Sequence, residues 1–323
     1  MAATSERQGS RELAEFAIVD PGLLGLSLFR PLPRKGRADA RKRMFEIDTK
    51  HGGRKLKVVG AYTLGPDDLS VLLAVLALAG LLGRKIEAGS SENNRIDIVD
   101  GLESEGDVVE CTHIRMRTTL YALCREAGLS VAGDAYGRIS ESLRRLRTVH
   151  YDDMGPVGSD VRRLYASGKQ NLLTARTDEA TGEIIVVVNA RFAAVMLGRQ
   201  FVRVNLAESR CLGEMARLLH LRLSVMVRPD SALTVPTDKL CLWAYGDEAA
   251  SVRERQDRRK EVRHGVAELG SLAGWAVAEN RRRLMVSIVR QQNPVGTAGE
   301  CKPSGGAPFT SAASGVEVLP SLS

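Results

Sequence analysis

The chain has 323 residues, 44% of them hydrophobic and 4% aromatic, with 46 Lys and Arg against 39 Asp and Glu. At ~100–200 residues per domain it has room for about two folded domains, and its apolar content excludes wholesale disorder. The net charge of +7 permits a polyanionic partner without requiring one.

The first 20 residues mix charges into every turn, so no secretory leader is expected and a cytoplasmic location is. Residues 1–24 read as a flexible arm. Residues 44–48 and 55–59 flank Lys50-His51-Gly52-Gly53-Arg54 as the strands of a short hairpin. Pro66-Asp67-Asp68 then opens a helix, because proline suits the first turn and acids suit its positive end. The helix is expected to run to Ala79 and stop at Gly80. The apolar run from Leu69 to Leu82 has 14 residues, short of the ~20 that span a bilayer. A central buried helix is predicted, and no membrane partner.

Thr118 or Thr119 caps a helix through Ala127, with Leu120, Leu123 and Cys124 on one face and Gly128 at its end. A second helix runs from Asp134 to Arg147, with Ile139, Leu143 and Leu146 as its apolar stripe. The pair is a helix-turn-helix pattern. Residues 148–154 read as a strand, Gly155-Pro156-Val157-Gly158 as a turn and 161–173 as the return. Helix-turn-helix plus hairpin makes a winged helix. Residues 183–189 add a β-branched strand.

The pattern recurs. Residues 201–205 alternate like a strand, 213–227 form an amphipathic helix and 233–235 a short strand. Thr237 caps a helix bearing Leu240 and Cys241, as Thr119 caps the one bearing Leu123 and Cys124. A long helix covers 249–269, and a hairpin of 275–279 and 284–289 turns at Asn280-Arg281-Arg282-Arg283. The fold class is therefore α+β: two tandem winged-helix domains, 25–199 and 200–290, from an internal duplication. The Gly, Pro and Ser-rich residues 291–323 are expected to be a disordered tail.

Charge follows this division. Residues 30–57 carry +8, 111–176 +5 and 251–290 +5, whereas 61–110 carry −7. In the first recognition helix Arg138, Glu141, Ser142, Arg144 and Arg145 are expected to face away from the apolar stripe. Arginine's fork suits guanine edges and phosphates, although a solvated face would look the same. In the second, Arg253, Arg255, Arg258, Arg259, Lys260 and Arg263 lie within eleven residues. Val262, Val266 and Leu269 mark its buried half, so the basic N-terminal half projects. Glu254, Asp257 and Glu261 could instead pair with these arginines at helical spacing. Arg281, Arg282 and Arg283 at the hairpin tip repel one another unless a polyanion neutralises them. These thirteen basic and hydroxyl side chains are the candidate DNA contacts.

Enzymatic motifs are missing. There is no GxxxxGK[ST] and no HExxH, the five histidines are scattered, and the five cysteines form no CxxC. No catalytic residue, metal or cofactor is therefore expected, nor a disulfide framework.

Several stretches resemble the RepC family of IncQ-type plasmid replication initiators. They are Ser27-Leu28-Phe29-Arg30, Leu64-Gly65-Pro66-Asp67-Asp68-Leu69, Ala77-Leu78-Ala79-Gly80, residues 182–189, Phe201-Val202-Arg203-Val204, EMARLLHLRL at 214–223, Thr237-Asp238-Lys239-Leu240-Cys241, and Ala267-Glu268-Leu269 through Gly274-Trp275. They keep the family's order from about Leu26 to Val289. The resemblance implies a non-enzymatic protein, monomer or dimer, that binds directly repeated iterons in double-stranded origin DNA. It implies opening of adjacent AT-rich DNA and recruitment of a plasmid-encoded hexameric helicase, with a plasmid primase acting later. It places the recognition roles on residues 135–147 and 249–269. The chain departs from the family pattern in its N-terminal arm, in Glu254 and Asp257 within the basic run, and in its tail. A winged-helix transcription regulator and a winged-helix interaction scaffold remain as alternatives.

Overall fold

The structure, a computed structural model, describes residues 12–33, 36–51, 54–86, 102–131, 134–156, 167–198 and 201–291. The expected tail lies outside these residues from Gln292 onward, as do residues 1–11 of the expected arm. The rest of that arm is not loose. β1 (Phe16–Val19) pairs antiparallel with residues 202–205, and Ala17 and Val19 are fully buried. Asp20 then caps α1 (Pro21–Leu24), accepting from the amide of Gly22 at 2.8 Å, and Leu23 and Leu24 are buried. The segment is held because its partner strand, some 180 residues away, covers its backbone groups.

α2 (Arg37–Arg41) leads into the hairpin of β2 (Phe45–His51) and β3 (Arg54–Gly60). α3 (Pro66–Leu82) starts at Pro66 as expected, and the amide of Gly65 donates to Asp68 Oδ2 at 2.8 Å. Nearly every side chain of α3 up to Ala79 is buried, which makes it the central helix. It does not stop at Gly80. A glycine within a helix costs only ~1 kcal/mol, and the helix ends at Gly83, whose amide bonds Ala79 O.

The chain continues through β4 (Arg84–Ile86), β5 (Glu105–Gly106), β6 (His113–Thr118), α4 (Leu120–Glu126) and α5 (Ala135–Arg147). Thr119 caps α4, its Oγ1 accepting from Ala122 N at 3.1 Å. Next come β7 (Val149–Pro156), β8 (Gly168–Asn171), β9 (Leu173–Thr177), β10 (Ile184–Val188), α6 (Ala190–Leu197), β11 (Val202–Asn205) and α7 (Leu206–Cys211). The last third holds α8 (Glu214–Met226), β12 (Ser231–Pro236), α9 (Thr237–Tyr245), α10 (Val252–Leu269), β13 (Trp275–Asn280) and β14 (Met285–Arg290).

The strands form antiparallel sheets in the orders β1-β11, β4-β6-β10-β9, β2-β3-β7-β8-β5 and β12-β14-β13. An internal repeat is visible in them. With β4, β5, β7 and β8 set aside as insertions, the order helix, strand, helix, helix, strand, strand occurs as α3, β6, α4, α5, β9, β10, and it occurs without interruption as α8, β12, α9, α10, β13, β14. In each, the last strand lies between the other two. Ile184 opens β10 opposite Thr118 and Thr177, as Met285 opens β14 opposite Pro236 and Asn280.

Two expectations change here. The strand after α5 pairs antiparallel with the expected return, as β8 (His150 opposite Asn171), but this hairpin is not a free wing, and residues 157–166 of its turn and return lie outside the described residues. β7 sits between β3 and β8 in the five-stranded sheet, with Val149, Tyr151 and Asp153 buried. The hairpin equivalent to β13–β14 is β9–β10, which turns at residues 178–183. Thr237 does not cap α9 either: Pro236 occupies that position, and the Thr237 hydroxyl donates to Leu284 O at 3.0 Å.

The larger core gathers α3, α4, α5, β1 and β10, and the smaller one gathers α8, α9, α10 and their sheet. α8 serves both, with Leu218 and Leu221 in the larger core and Ala216, Leu219 and Leu223 in the smaller. Val204 and Leu206 also pack into the larger core, although the sequence places them beyond the domain division at residue 200. A buried ionic chain stitches distant elements: Arg54 Nε donates to Asp153 at 2.9 Å, Arg191 Nη1 donates to Asp153 at 3.1 Å, and Arg191 Nε donates to Asp20. Two acids balance two guanidiniums there, the condition under which buried charge is tolerated.

Candidate nucleic-acid interface

α5 divides its candidates. Ser142 and Arg145, expected on the outside, are buried. Arg145 Nε and Nη2 donate to Asp68 Oδ1 at 3.0 and 2.7 Å, and Nη2 also donates to Ser142 Oγ at 3.0 Å. Asp68 is fully buried and accepts from Arg41 Nη1 at 2.8 Å as well. The inner face of α5 is thus wider than its three apolar residues. Arg138 and Arg144 are exposed but engaged. Arg138 Nη2 lies 3.4 Å from Asp67. Arg144 donates to Glu141 Oε2 at 2.9 Å and to Tyr62 OH at 2.9 Å, and its guanidinium lies 4.8 Å from the Tyr62 ring. The Arg144 hydrogen bond holds the Glu141 carboxyl below its ordinary range. Arg147, in the last turn, is exposed and makes no ion pair among the described residues, and it is not among the sequence candidates although Arg144 and Arg145 precede it in the same turn.

The β9–β10 turn carries Asp178, Glu179 and Glu183. Arg117 Nη1 bridges Asp178 and Glu183 at 3.4 and 3.3 Å. This tip is acidic, the opposite of its counterpart in the second repeat.

α10 is capped by Ser251, whose Oγ accepts from Glu254 N at 3.1 Å. None of residues 252–261 is buried, and Val252 is 70% exposed, whereas Val262, Val266 and Leu269 are in the core. Three of its basic residues are tied down. Arg258 donates to Asp247 Oδ1 at 2.9 Å and Glu254 Oε1 at 2.7 Å, and lies 4.3 Å from the Tyr245 ring. Arg259 donates to both Asp238 oxygens at 2.6 Å, which holds the Asp238 carboxyl below its usual range. Arg263 Nε lies 2.6 Å from Glu279 Oε1. Glu279 Oε2 in turn accepts from Arg281 Nε at 3.3 Å. Glu279 therefore links α10 to the β13–β14 turn.

Five of the thirteen candidates remain exposed with no ion pair among the described residues: Arg253, Arg255, Lys260, Arg282 and Arg283. All five belong to α10 or the turn behind it. Arg253 and Lys260 are seven residues apart and share a face of the helix. Five exposed cations with no ion pair among the described residues, on a helix and a hairpin joined through Glu279, form a surface suited to a polyanion.

Comparison with known proteins agrees with the sequence. The profile of the family described as replication protein C (RepC) matches residues 14–290. The chain belongs to the RepC family. The match begins twelve residues earlier than the resemblance did and takes in β1. Membership places this RepC protein among replication initiators. Two crystal structures of domains 2 and 3 of RctB are similar to it. One, of selenomethionine derivatives, has a TM-score of 0.48 at 12% identity, covering 85% of this chain and 100% of that one. The other has a TM-score of 0.47 at 12% identity, covering 82% and 95%. No curated protein sequence is similar enough to count as a match. Among the described residues no helix of this RepC protein is long and apolar enough to cross a membrane.

Proposed function

We propose that this protein initiates replication by binding directly repeated sites in an origin through two winged-helix modules. It then promotes opening of adjacent AT-rich DNA and recruits a plasmid-encoded hexameric helicase, with no enzymatic activity or cofactor of its own. The observation that carries the reading is the set of five exposed cations on α10 and the 281–284 turn that make no ion pair among the described residues. The repeated order of elements supports two winged helices, with α5 and α10 as recognition helices.

The two modules differ in their task. The second holds the unpaired charge, so it supplies most of the salt-sensitive affinity. The first offers Arg138, Arg144 and Arg147 and an acidic wing tip, which favours base-edge contacts over a grip on the backbone. If each of the five free cations neutralises one phosphate, they contribute ~4.5 to the slope of log affinity against log salt.

The test is a gel shift on duplexes with and without direct repeats, followed by permanganate footprinting of the bound origin. Preference for repeats with reactive thymines beside them is expected. Tight binding without reactive thymines would reduce the protein to a winged-helix regulator. No preference for repeats would overturn the reading.

A further inference from the structure

Arg222 of α8 is set into the smaller repeat with no ion pair among the described residues. Its Nε and Nη1 are buried and make no hydrogen bond. Burial lowers its pKa from the ordinary arginine value, and no carboxylate opposes that shift. The guanidinium lies 5.4 Å from the ring of Trp243, on α9. The ammonium of Lys239, one turn earlier on α9, lies 5.7 Å from the same ring. Lys239 is exposed and forms no ion pair among the described residues. Trp243 is fixed in turn, its backbone oxygen accepting from Ser27 Oγ at 2.8 Å. The nearby acid, Asp238, is engaged by Arg259.

Two cations thus lie against one indole, and neither makes an ion pair among the described residues. An indole face attracts a cation, but it does not supply the hydrogen-bond acceptors that a shielded guanidinium lacks. Nε and Nη1 are closed to solvent, but Arg222 is only part-buried and Lys239 is exposed, and a phosphate against them supplies the missing negative charge. α9 precedes α10, and the first helix of a helix-turn-helix pair crosses the DNA backbone. We propose that Arg222, Lys239 and Trp243 form a seat for one backbone phosphate of duplex DNA, beside the groove that α10 enters. This rests on the reading of the protein as a DNA-binding initiator. The site adds affinity without sequence preference, because a phosphate carries no base identity.

The test compares Lys239→Ala, Arg222→Met and the double substitution Arg282→Ala/Arg283→Ala by salt-dependent binding to one repeat-bearing duplex. Lys239→Ala and Arg222→Met are each expected to make the slope of log affinity against log salt shallower by ~0.9, equally on specific and scrambled duplexes. Arg222→Met should leave the melting temperature of the free protein unchanged or raised, since it removes an unsatisfied buried charge. A purely packing role predicts the opposite, a lowered melting temperature with the slope intact. Lys239→Ala, at the surface, decides the matter should Arg222→Met fold poorly. An unchanged slope for Lys239→Ala overturns the seat. If the Arg282→Ala/Arg283→Ala protein has meanwhile lost slope, the DNA-binding reading survives that failure. If no variant alters binding, both fall. Stabilisation of the free protein by inorganic phosphate that Arg222→Met abolishes, with the DNA slope untouched, would assign the pocket to a free phosphoanion and overturn the duplex claim.

Discussion

Arg145 donates from Nε and Nη2 to the same oxygen of Asp68, at 3.0 and 2.7 Å, tying the last turn of α5 to the first turn of α3. Asp68 also receives Arg41, so one fully buried carboxylate is shared by two guanidiniums. Asp68→Ala would take the closest acid from both, leaving Arg145 with Glu141 at 3.7 Å and Arg41 with Asp67 at 3.9 Å. The expected cost is ~3–5 kcal/mol, the usual penalty for breaking a buried pair from one side, read as a lowered urea midpoint. Arg145→Ala should destabilise without changing the salt slope of DNA binding. Arg147→Ala should do the reverse, with a slope shallower by ~0.9 and stability within about 0.5 kcal/mol of the parent.

The two hairpin tips predict an asymmetry. Arg282→Ala with Arg283→Ala removes two unpaired cations, and the salt slope should become shallower by ~1.8. Substituting Glu179 and Glu183 by Ala at the other tip should not weaken binding. A fluorescence-anisotropy titration over a series of salt concentrations checks both.

Within α10 the paired and unpaired arginines should separate. Arg253→Ala and Lys260→Ala are expected to weaken DNA binding and leave the melting temperature in place, since neither side chain makes a hydrogen bond or ion pair among the described residues. Arg258→Ala is expected to lower the melting temperature, because it removes the contacts to Asp247, Glu254 and Tyr245 that hold the helix start. Thermal unfolding run beside the binding assay separates the two groups.

Glu208 predicts a pH dependence. Burial pushes its carboxyl up, but the His220 ring and Trp275 Nε1, each 2.9 Å from Oε2, outweigh burial and hold it below its ordinary value of 4.5. The stabilisation is therefore complete above the ordinary carboxylate pKa and is lost as pH falls through the lowered one. Glu208→Gln should flatten the acid limb of stability below about pH 4.5, followed through Trp275 fluorescence.

Much of this architecture was legible in the residues. The all-apolar face of α3, the Thr119 cap and the Arg281-Arg282-Arg283 tip are local signals, and each fell where its chemistry placed it. Ser142 and Arg145 were misread because a buried polar residue leaves no apolar mark; its partner, Asp68, lies 77 residues away and looked like a helix start. The pairing of β7 with β8 is local and legible, whereas its pairing with β3, which builds the hairpin into a five-stranded sheet, is set by contacts far along the chain. β1 is only four residues long, and nothing within it announces a partner strand near residue 204. Which of the α10 arginines were free could not be read from spacing either, since Asp238, Asp247 and Glu279 reach them from other elements.

The most direct measurement is the salt dependence of binding to a repeat-bearing duplex for the parent and for a variant with Arg253, Arg255, Lys260, Arg282 and Arg283 all changed to Ala. The account predicts that the parent slope exceeds the variant's by ~4.5, equivalent to an extra ~500-fold loss of affinity between 50 and 200 mM salt. Equal slopes for two equally folded proteins would contradict it.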